Sequence, residues 1–539
     1  MTFKAHLAAS LAALFIALPA PATRADPAAG PVATQLHELQ QDIAVARLLN
    51  ELNHAAPREA GRLVVVRNVR IVEPAAETAT PAQSVIVSGA RIAWTGDTAK
   101  EPKLEGALVI DGQDQFLAPG LTDMHVHSTA AAGWLLELAS GVTTVRDMGG
   151  FPWLLRVRNS VAAGRMLAPT CYVAGTIINA MPLEGYAVVP RDALDARRIV
   201  RQQAACGYDF IKLHNIMPQP MFDAIAEEAA RLGMDLVGHV PHDITVRHAV
   251  SKGMRTMEHL KGFLDDKTLQ LGETDYAAAV DGPEVWNTPT LVALRSYARG
   301  AEAQALLARP EMRYVPARRR AEWSHAADEA PDPATAAGNA AREIAAGIVG
   351  KLRAVDAKFL AGTDADGYSY LVMGYALLDE LDLLCSAGLA PPQALRAATT
   401  AAATAMRVPE AFGRIQRGMR ADFVLLKTNP LENISAFRAN AGVMAHGVWL
   451  PRAGLDRALD QLARIQAEPD AGVEVDARSL AAAHSAAQAL SRDGFIFDGA
   501  ALTGFANTLR ESGWPAEAEH FDALAGLSQD GPCAQYTPQ

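Results

Sequence analysis

The chain has 539 residues, half of them hydrophobic, and a formal net charge of -11. That hydrophobic fraction supports a large core and excludes wholesale disorder, and the acidic balance leaves no basic excess to neutralise phosphates, which excludes nucleic acid as a partner. Length alone allows about three or four ordinary domains, although one α/β barrel can absorb about 250 residues or more.

The chain opens with MTFKAHLAASLAALFIALPAPATRADPAAG, which has a basic start at Lys4, an apolar run from Leu7 to Leu18 and small residues after Pro19. This pattern is that of a cleaved secretory signal, assigned to residues 1–25, and its apolar run is too short to span a bilayer. No other stretch is long and apolar enough, so no membrane partner is expected. Together with the Ala-rich composition, which fits a bacterium of high genomic GC content, the signal predicts a secreted or periplasmic protein. Cys171, Cys206, Cys385 and Cys533 show no ligand spacing. They are expected as free thiols, although an exported chain could oxidise them.

Residues 26–59 read as a helical segment. Residues 60–115 hold short β-rich runs split by Gly, Pro and Asn, which predicts a small antiparallel sheet. From 116 to 410 strand-like runs alternate with Ala-rich amphipathic stretches: GLTDMHVH, GVTTVRDM, TCYVAGTI, YDFIKLH, MDLVGHV, MRTMEHL, VWNTPTLVAL and AKFLAGTD. This alternation predicts an α/β fold, a (β/α)8 TIM barrel. A doubly wound sheet would often bring a Gly-rich phosphate turn after an early strand, and none is present. The helical stretch Arg295–Arg353 is either a lid over the barrel mouth or a set of extra outer helices. Residues 411–452 return to the β-texture of 60–115, so a small β-sandwich domain is expected from segments before and after the barrel. Residues 453–539 read as a helical C-terminal extension for packing or oligomerisation, which leaves a homo-oligomer open.

Within FLAPGLTDMHVHST, His125 and His127 stand two positions apart. On a strand both imidazoles point to one face, an arrangement that suits a metal ion. A lone His-x-His at a strand end is as readily two ordinary polar residues, so further ligands must decide. Barrel sites gather the C-terminal ends of the strands. Those ends carry Lys212 in FIKLH, His239 in VGHVPH, His259 in TMEHL and Asp364 in LAGTD. One strand-end histidine is usually a satisfied core group. Four imidazoles, a lysine and a carboxylate at such positions point to a metal site.

Over about residues 60–450 the chain resembles the amidohydrolase superfamily, in the branch related to imidazolonepropionase and prolidase-like dipeptidases. The likeness rests on FLAPGLTDMHVH, GVTTVRDMGG, FIKLH, GHVPHDIT with MEHL, LAGTDA and GRIQRGMRADFVLL. It implies two divalent metal ions, usually zinc. His125, His127 and Asp364 would bind the more buried metal, His239 and His259 the second, and Lys212 would bridge both as a carboxylated lysine. It further implies hydrolysis of a small-molecule amide, peptide-like or cyclic, by a metal-bound hydroxide, with Asp364 shuttling the proton. A lactonase or esterase could use the same site, and an inactive metal-containing binding protein is the rival from another class.

Prolidase-like relatives usually carry tyrosine two residues after the strand-five histidine. Here that residue is Pro241, which cannot donate a hydrogen bond. His242 is the candidate to replace it, with a surface loop residue as the plainer reading. Specificity is expected from the loops, with Trp153, Tyr186, His214, Asn215 and Tyr368 as candidates and Arg295 for a substrate carboxylate. Each of these could equally serve loop packing.

Overall fold

The computed structural model describes residues 30–529 except the stretches 56–62, 129, 184–185, 266–269, 273, 281, 283, 329–332 and 470–472. The secretory signal read at 1–25 and Cys533 lie outside the described residues. The first element is a helix, Pro31–Ala55, opened by a proline whose missing N–H has no partner to lose at that position. Strands β1 (Leu63–Glu73), β2 (Thr78–Ser88) and β3 (Arg91–Asp97) form an antiparallel meander. β4 (Leu108–Pro119) crosses to the other edge of β1 and pairs with it in parallel. β-branched residues are densest in β1, and Val64, Val66, Val85, Val87 and Ile92 share one apolar layer.

β5 (Leu121–Val126), β6 (Val142–Asp147) and β7 (Thr170–Val173) form a parallel sheet. A second sheet holds β8 (Ile177–Ile178), β9 (Ala187–Val188), β10 (Phe210–Leu213), β11 (Asp235–Gly238) and β12 (Met254–Glu258). A ribbon of β13 (Leu264–Asp265) and β14 (Gln270–Leu271) precedes its last two strands, β15 (Trp286–Thr288) and β16 (Lys358–Phe359). The order of this sheet is β16-β15-β12-β11-β10-β8-β9. Every residue of β5, β6, β10, β11 and β12 is buried, as parallel strands covered on both faces require. The two parallel sheets touch at two places: Val126, ending β5, bridges Ala365 beyond β16, and Ala174, just after β7, bridges Phe210 of β10. The Gly175 N–H donates to the Phe210 carbonyl at 2.7 Å, and the Met124 N–H to that of Ala361 at 2.9 Å.

Connecting helices follow their own punctuation. The helix Ala193–Cys206 starts where the Asp192 side chain accepts the Asp195 N–H and stops at Gly207, whose φ is 81°. Cys206, at the end of that helix, is disulfide-bonded, which corrects the expectation of free thiols at this position. Cys171 and Cys385 are free.

β17 (Phe423–Leu426), β18 (Asn440–Ala445) and β19 (Val448–Pro451) complete the first sheet, in the order β19-β18-β17-β4-β1-β2-β3. Phe423 pairs opposite Pro119, so segments from before and after the central region share one hydrogen-bonded sheet. The sheet is mixed rather than antiparallel, because β4 runs with β1 after crossing from β3.

Within the stretch 295–353, the helix Ala317–Asp328 docks on the loop after β16. Arg319 pairs with Asp366 at 2.5 Å, and the Tyr370 hydroxyl donates to the Trp323 carbonyl at 3.2 Å. The tail forms helices Arg452–Ala467, Ala477–Arg492, Gly499–Glu511 and Pro515–Gln529. They pack against the first helix and the central region: Gln41 donates to the Ile465 carbonyl at 3.0 Å, and the Phe495 ring lies 5.8 Å from that of Trp134. Among the described residues no helix is long and apolar enough to cross a membrane.

Candidate metal centre

β5, β10, β11, β12 and the segment after β16 bring their C-terminal ends to one small pocket of about 30 Å³, lined by His127, Lys212, His239, His259 and Asp364 among others. The Asp364 carboxylate lies 3.4 Å from His125 Nε2, 3.0 Å from His127 Nε2 and 3.5 Å from His259 Nε2. Ligand atoms of His125, His259 and Asp364 all fall within 4.8 Å of one another. Lys212 Nζ lies 3.0 Å from His125 Nε2, and the His239 and His259 ring centroids are 4.8 Å apart.

The backbone is shaped to make this convergence. His259 and Asp364 have φ near 60°, a left-handed conformation that non-glycine residues adopt at a cost and that gathers at functional sites. Gly238, with φ of 113°, ends β11 just before His239, and a Cβ there would stand 2.3 Å from the Leu213 carbonyl oxygen. Only glycine lets β10 and β11 approach so closely beside the site.

Three imidazoles are held through Nδ1. His125 donates to Glu258 at 3.0 Å, His239 to the Asn215 side-chain oxygen at 2.5 Å, and His259 to Thr290 Oγ1 at 2.6 Å. The Thr290 hydroxyl spends its own proton on the Pro289 carbonyl, so it can only accept from His259. Each Nε2 therefore keeps its lone pair for the pocket, the tautomer a metal ligand needs. Burial, reinforced by Lys212, holds His125 down to about 4, and burial takes His239 and His259 well below the usual histidine range. All three are neutral near pH 7. Burial also lowers Lys212 to about 8. Burial alone would raise Asp364, but His125, His259 and His127 outweigh it and keep the carboxylate ionised. Neutral imidazoles around one ionised carboxylate, with a lysine able to shed its proton, fit a divalent metal site of nitrogen and oxygen donors.

The sequence reading missed the residues behind these ligands. Glu258 is fully buried, and Arg146 donates to it at 2.7 Å and to the Met124 carbonyl at 2.6 Å. Asp123 accepts the N–H groups of His125 and Thr363 at 3.0 and 3.1 Å, tying β5 to the segment that carries Asp364. The signal for Glu258 was an acid directly before a histidine at the end of a fully buried strand, MRTME. Glu258→Gln would leave the Arg146 guanidinium buried without a counter-charge. It is expected to lower unfolding stability by about 3 kcal/mol and metal affinity by about 10-fold or more. Denaturant melts and metal titration read both, and a variant as stable as wild type would mean that Arg146 does not depend on this carboxylate.

Of the expected substrate residues, Tyr186, His214 and Tyr368 line the pocket. Trp153 does not. It is buried in the helix Pro152–Ala162 against Trp134, its apolar bulk drawn into the core. His242 is half-buried and its N–H bonds the Asn215 carbonyl at 2.9 Å, but it is not among the lining residues. Arg295 pairs with Asp379 and is not among the residues lining the pocket.

Comparison with known proteins agrees with this geometry. The amidohydrolase family model matches residues 116–450. Imidazolonepropionase from Anaeromyxobacter sp. (strain K) is 27% identical over 405 residues, covering 68% of this chain and 90% of that protein. A dihydroorotase from Solibacter usitatus (strain Ellin6076) is 31% identical over 110 residues, 20% of this chain and only 25% of its own length. A solved Xaa-Pro dipeptidase with methionine in its active site superposes with a TM-score of 0.56 at 19% identity, covering 72% of this chain and 100% of that one. At that identity the likeness concerns the fold, which implies a TIM barrel with an additional domain.

Proposed function

The chain belongs to the amidohydrolase family, and on that premise we propose that it is an exported hydrolase with two divalent metal ions that cleaves a carbon–nitrogen bond, peptide-like or in a ring. The reading takes β5, β6, β7, β10, β11, β12, β15 and β16 as one closed barrel, supported by the bridges that join the three-stranded sheet to the segment after β16 and to β10. The observation that carries it is the Asp364 carboxylate, 3.0 to 3.5 Å from imidazoles at the ends of β5 and β12, with Lys212 beside them.

His125, His127 and Asp364 would hold one metal, His239 and His259 the other, and Lys212, as a carbamate, would reach both. Bound divalent ions acidify water and polarise a carbonyl, the chemistry hydrolysis needs. The protein's own part is to position and to move a proton. Glu258, Asn215 and Thr290 lock three imidazoles in the ligating tautomer. Asp364 is ionised and can take a proton and return it to the leaving nitrogen. A leaving amine needs that proton more than an alkoxide does, which favours amides over lactones or esters.

Metal analysis of the purified protein is expected to give about two equivalents, with zinc favoured by the nitrogen-rich donor set. A single equivalent, unaffected by Lys212→Ala, would contradict the two-metal reading. Metal-loaded protein is expected to hydrolyse members of a panel of Xaa-Pro dipeptides, N-acyl amino acids and cyclic amides faster than matched lactones. A lactone preference would replace amide with ester hydrolysis. Export is supported by the secretory pattern at the start of the sequence and by the disulfide at Cys206, since such bonds persist in oxidising compartments. Cell fractionation tests it.

A further inference from the structure

Beside the metal pocket lies a second and larger cavity, of about 440 Å³, between the first helix, the tail helices and the docked helix Ala317–Asp328. Three features give it a chemical character. Its walls include Phe497 and Phe505. Asp42 and Asp498 face it, each bonded only to backbone N–H groups: Asp42 accepts from Ala131 at 2.9 Å, and Asp498 from Ala500 and Ala501 at 2.8 and 3.2 Å. Among the described residues neither carboxylate has a cationic partner, and Arg319 on the same wall is already paired with Asp366. Gln466, only 4% exposed, stands on the same wall and carries a side-chain oxygen with no hydrogen-bond partner. Burial lifts Asp42 to about 6, with Asp498 adding its repulsion, so near pH 7 the pair still carries negative charge.

The cavity is next to the metal centre. Ala130 on its wall follows His127 by three residues, and Arg319 on its wall clasps Asp366, two residues beyond Asp364. Tyr186, which lines the metal pocket, lies close enough to Asp366, Asp498 and Arg319 to feel their charges.

We infer that this cavity is a binding site for an ammonium-bearing group, held by Asp42 and Asp498 with the Gln466 oxygen as a further acceptor, and that its occupant is the cationic end of the substrate. The second clause rests on the hydrolase reading above; the first does not. Charge-assisted hydrogen bonds in a partly desolvated space favour a cation strongly, and the aromatic walls suit the alkyl stem behind it. An anionic or neutral end would leave both carboxylates without compensation.

Calorimetric titration of the full-length protein with hexylammonium chloride, against 1-hexanol, reads the cavity without any reaction. The ammonium is expected to bind about tenfold or more tightly than the alcohol, and to weaken as salt is raised. Asp42→Asn with Asp498→Asn is expected to erase the difference. Asparagine keeps the acceptor for Ala131 and the helix cap at 498, so the fold is retained. If the double variant does not fold, the wild-type comparison of ammonium, alcohol and salt still decides. Equal binding of the two probes overturns the site, as does ammonium binding that the double variant leaves unchanged.

Two amides alike except for a terminal ammonium or methyl group test the substrate clause. The wild-type kcat/KM ratio should favour the ammonium by about tenfold, and that ratio should fall towards one in the double variant. A wild-type ratio of one alongside intact ammonium binding overturns the substrate assignment alone. Hydrolysis of neither amide by metal-loaded protein counts against the carbon–nitrogen reading, and the titration still decides the cavity.

Discussion

Asp364→Asn is expected to lower kcat by about 10³-fold on an alkylamide substrate, within the range that loss of a positioned proton carrier produces. The substitution keeps the shape of the side chain and removes its ability to accept a proton. It should not collapse the surrounding imidazoles. His125 and His259 are kept neutral mainly by burial, and the Asp364 charge works the other way, raising both. Without that charge they become harder to protonate and remain ligands. The variant will bind metal less well, since a neutral amide is a weaker ligand than a carboxylate, so kcat is compared at saturating metal. The diagnostic readout is the leaving group. An alkylamine must be protonated as the bond breaks, whereas an anilide or a lactone departs more easily, so the loss should shrink along that series. A loss equal for amide and lactone would remove the proton-carrying role and leave Asp364 as a ligand only. Wild-type protein as inactive as Asp364→Asn on every hydrolysable substrate, yet still binding ligands, would favour a binding protein.

The candidate metal ligands were legible because parallel strands buried on both faces read as apolar runs, so a polar residue ending such a run stands out. Lys212 within FIKL and Asp364 after LAG are of this kind, and both are buried, Lys212 to 2% exposure. Glu258 was overlooked, because its strand MRTME already carries Arg255 and Thr256 and so offers no apolar run to stand out from, and the neighbouring His259 accounted for the polarity of TMEHL. Its role depends on Arg146, more than a hundred positions away in the sequence. Trp153 failed for the opposite reason: the loop position suggested a pocket residue, but an indole gains more from the company of Trp134 than from a wall. The shared β-texture before and after the central region did foretell one joint sheet, realised as Phe423 opposite Pro119. Nothing in the local sequence, however, announced that the first helix and the tail would meet around a cavity. That meeting depends on contacts such as Gln41 with Ile465, which carry no periodicity to read.

Lys212→Ala is expected to remove about one of two metal equivalents and to lower kcat by about 10²-fold or more. The argument begins from the ordinary amine, which near pH 7 is almost wholly protonated and is repelled by a dication. In this site burial brings Lys212 down to about 8, so the neutral form that reacts with carbon dioxide is a substantial minority at neutral pH and grows as pH rises through that value. The product would be an anion with two oxygens, next to His125, which Lys212 Nζ already approaches to 3.0 Å. Reconstitution of metal-free protein should therefore depend on bicarbonate and run faster at pH 8 than at pH 6. Carbon-13 bicarbonate should give a carbamate resonance in wild type and none in the variant. Because alanine leaves room where the lysine chain lay, acetate or propionate should restore part of the lost activity by supplying the missing pair of oxygens. Full metal content in Lys212→Ala, or reconstitution indifferent to bicarbonate at every pH, would make Lys212 an ordinary buried amine. The second metal would then have to be held by His239 and His259 without a bridge.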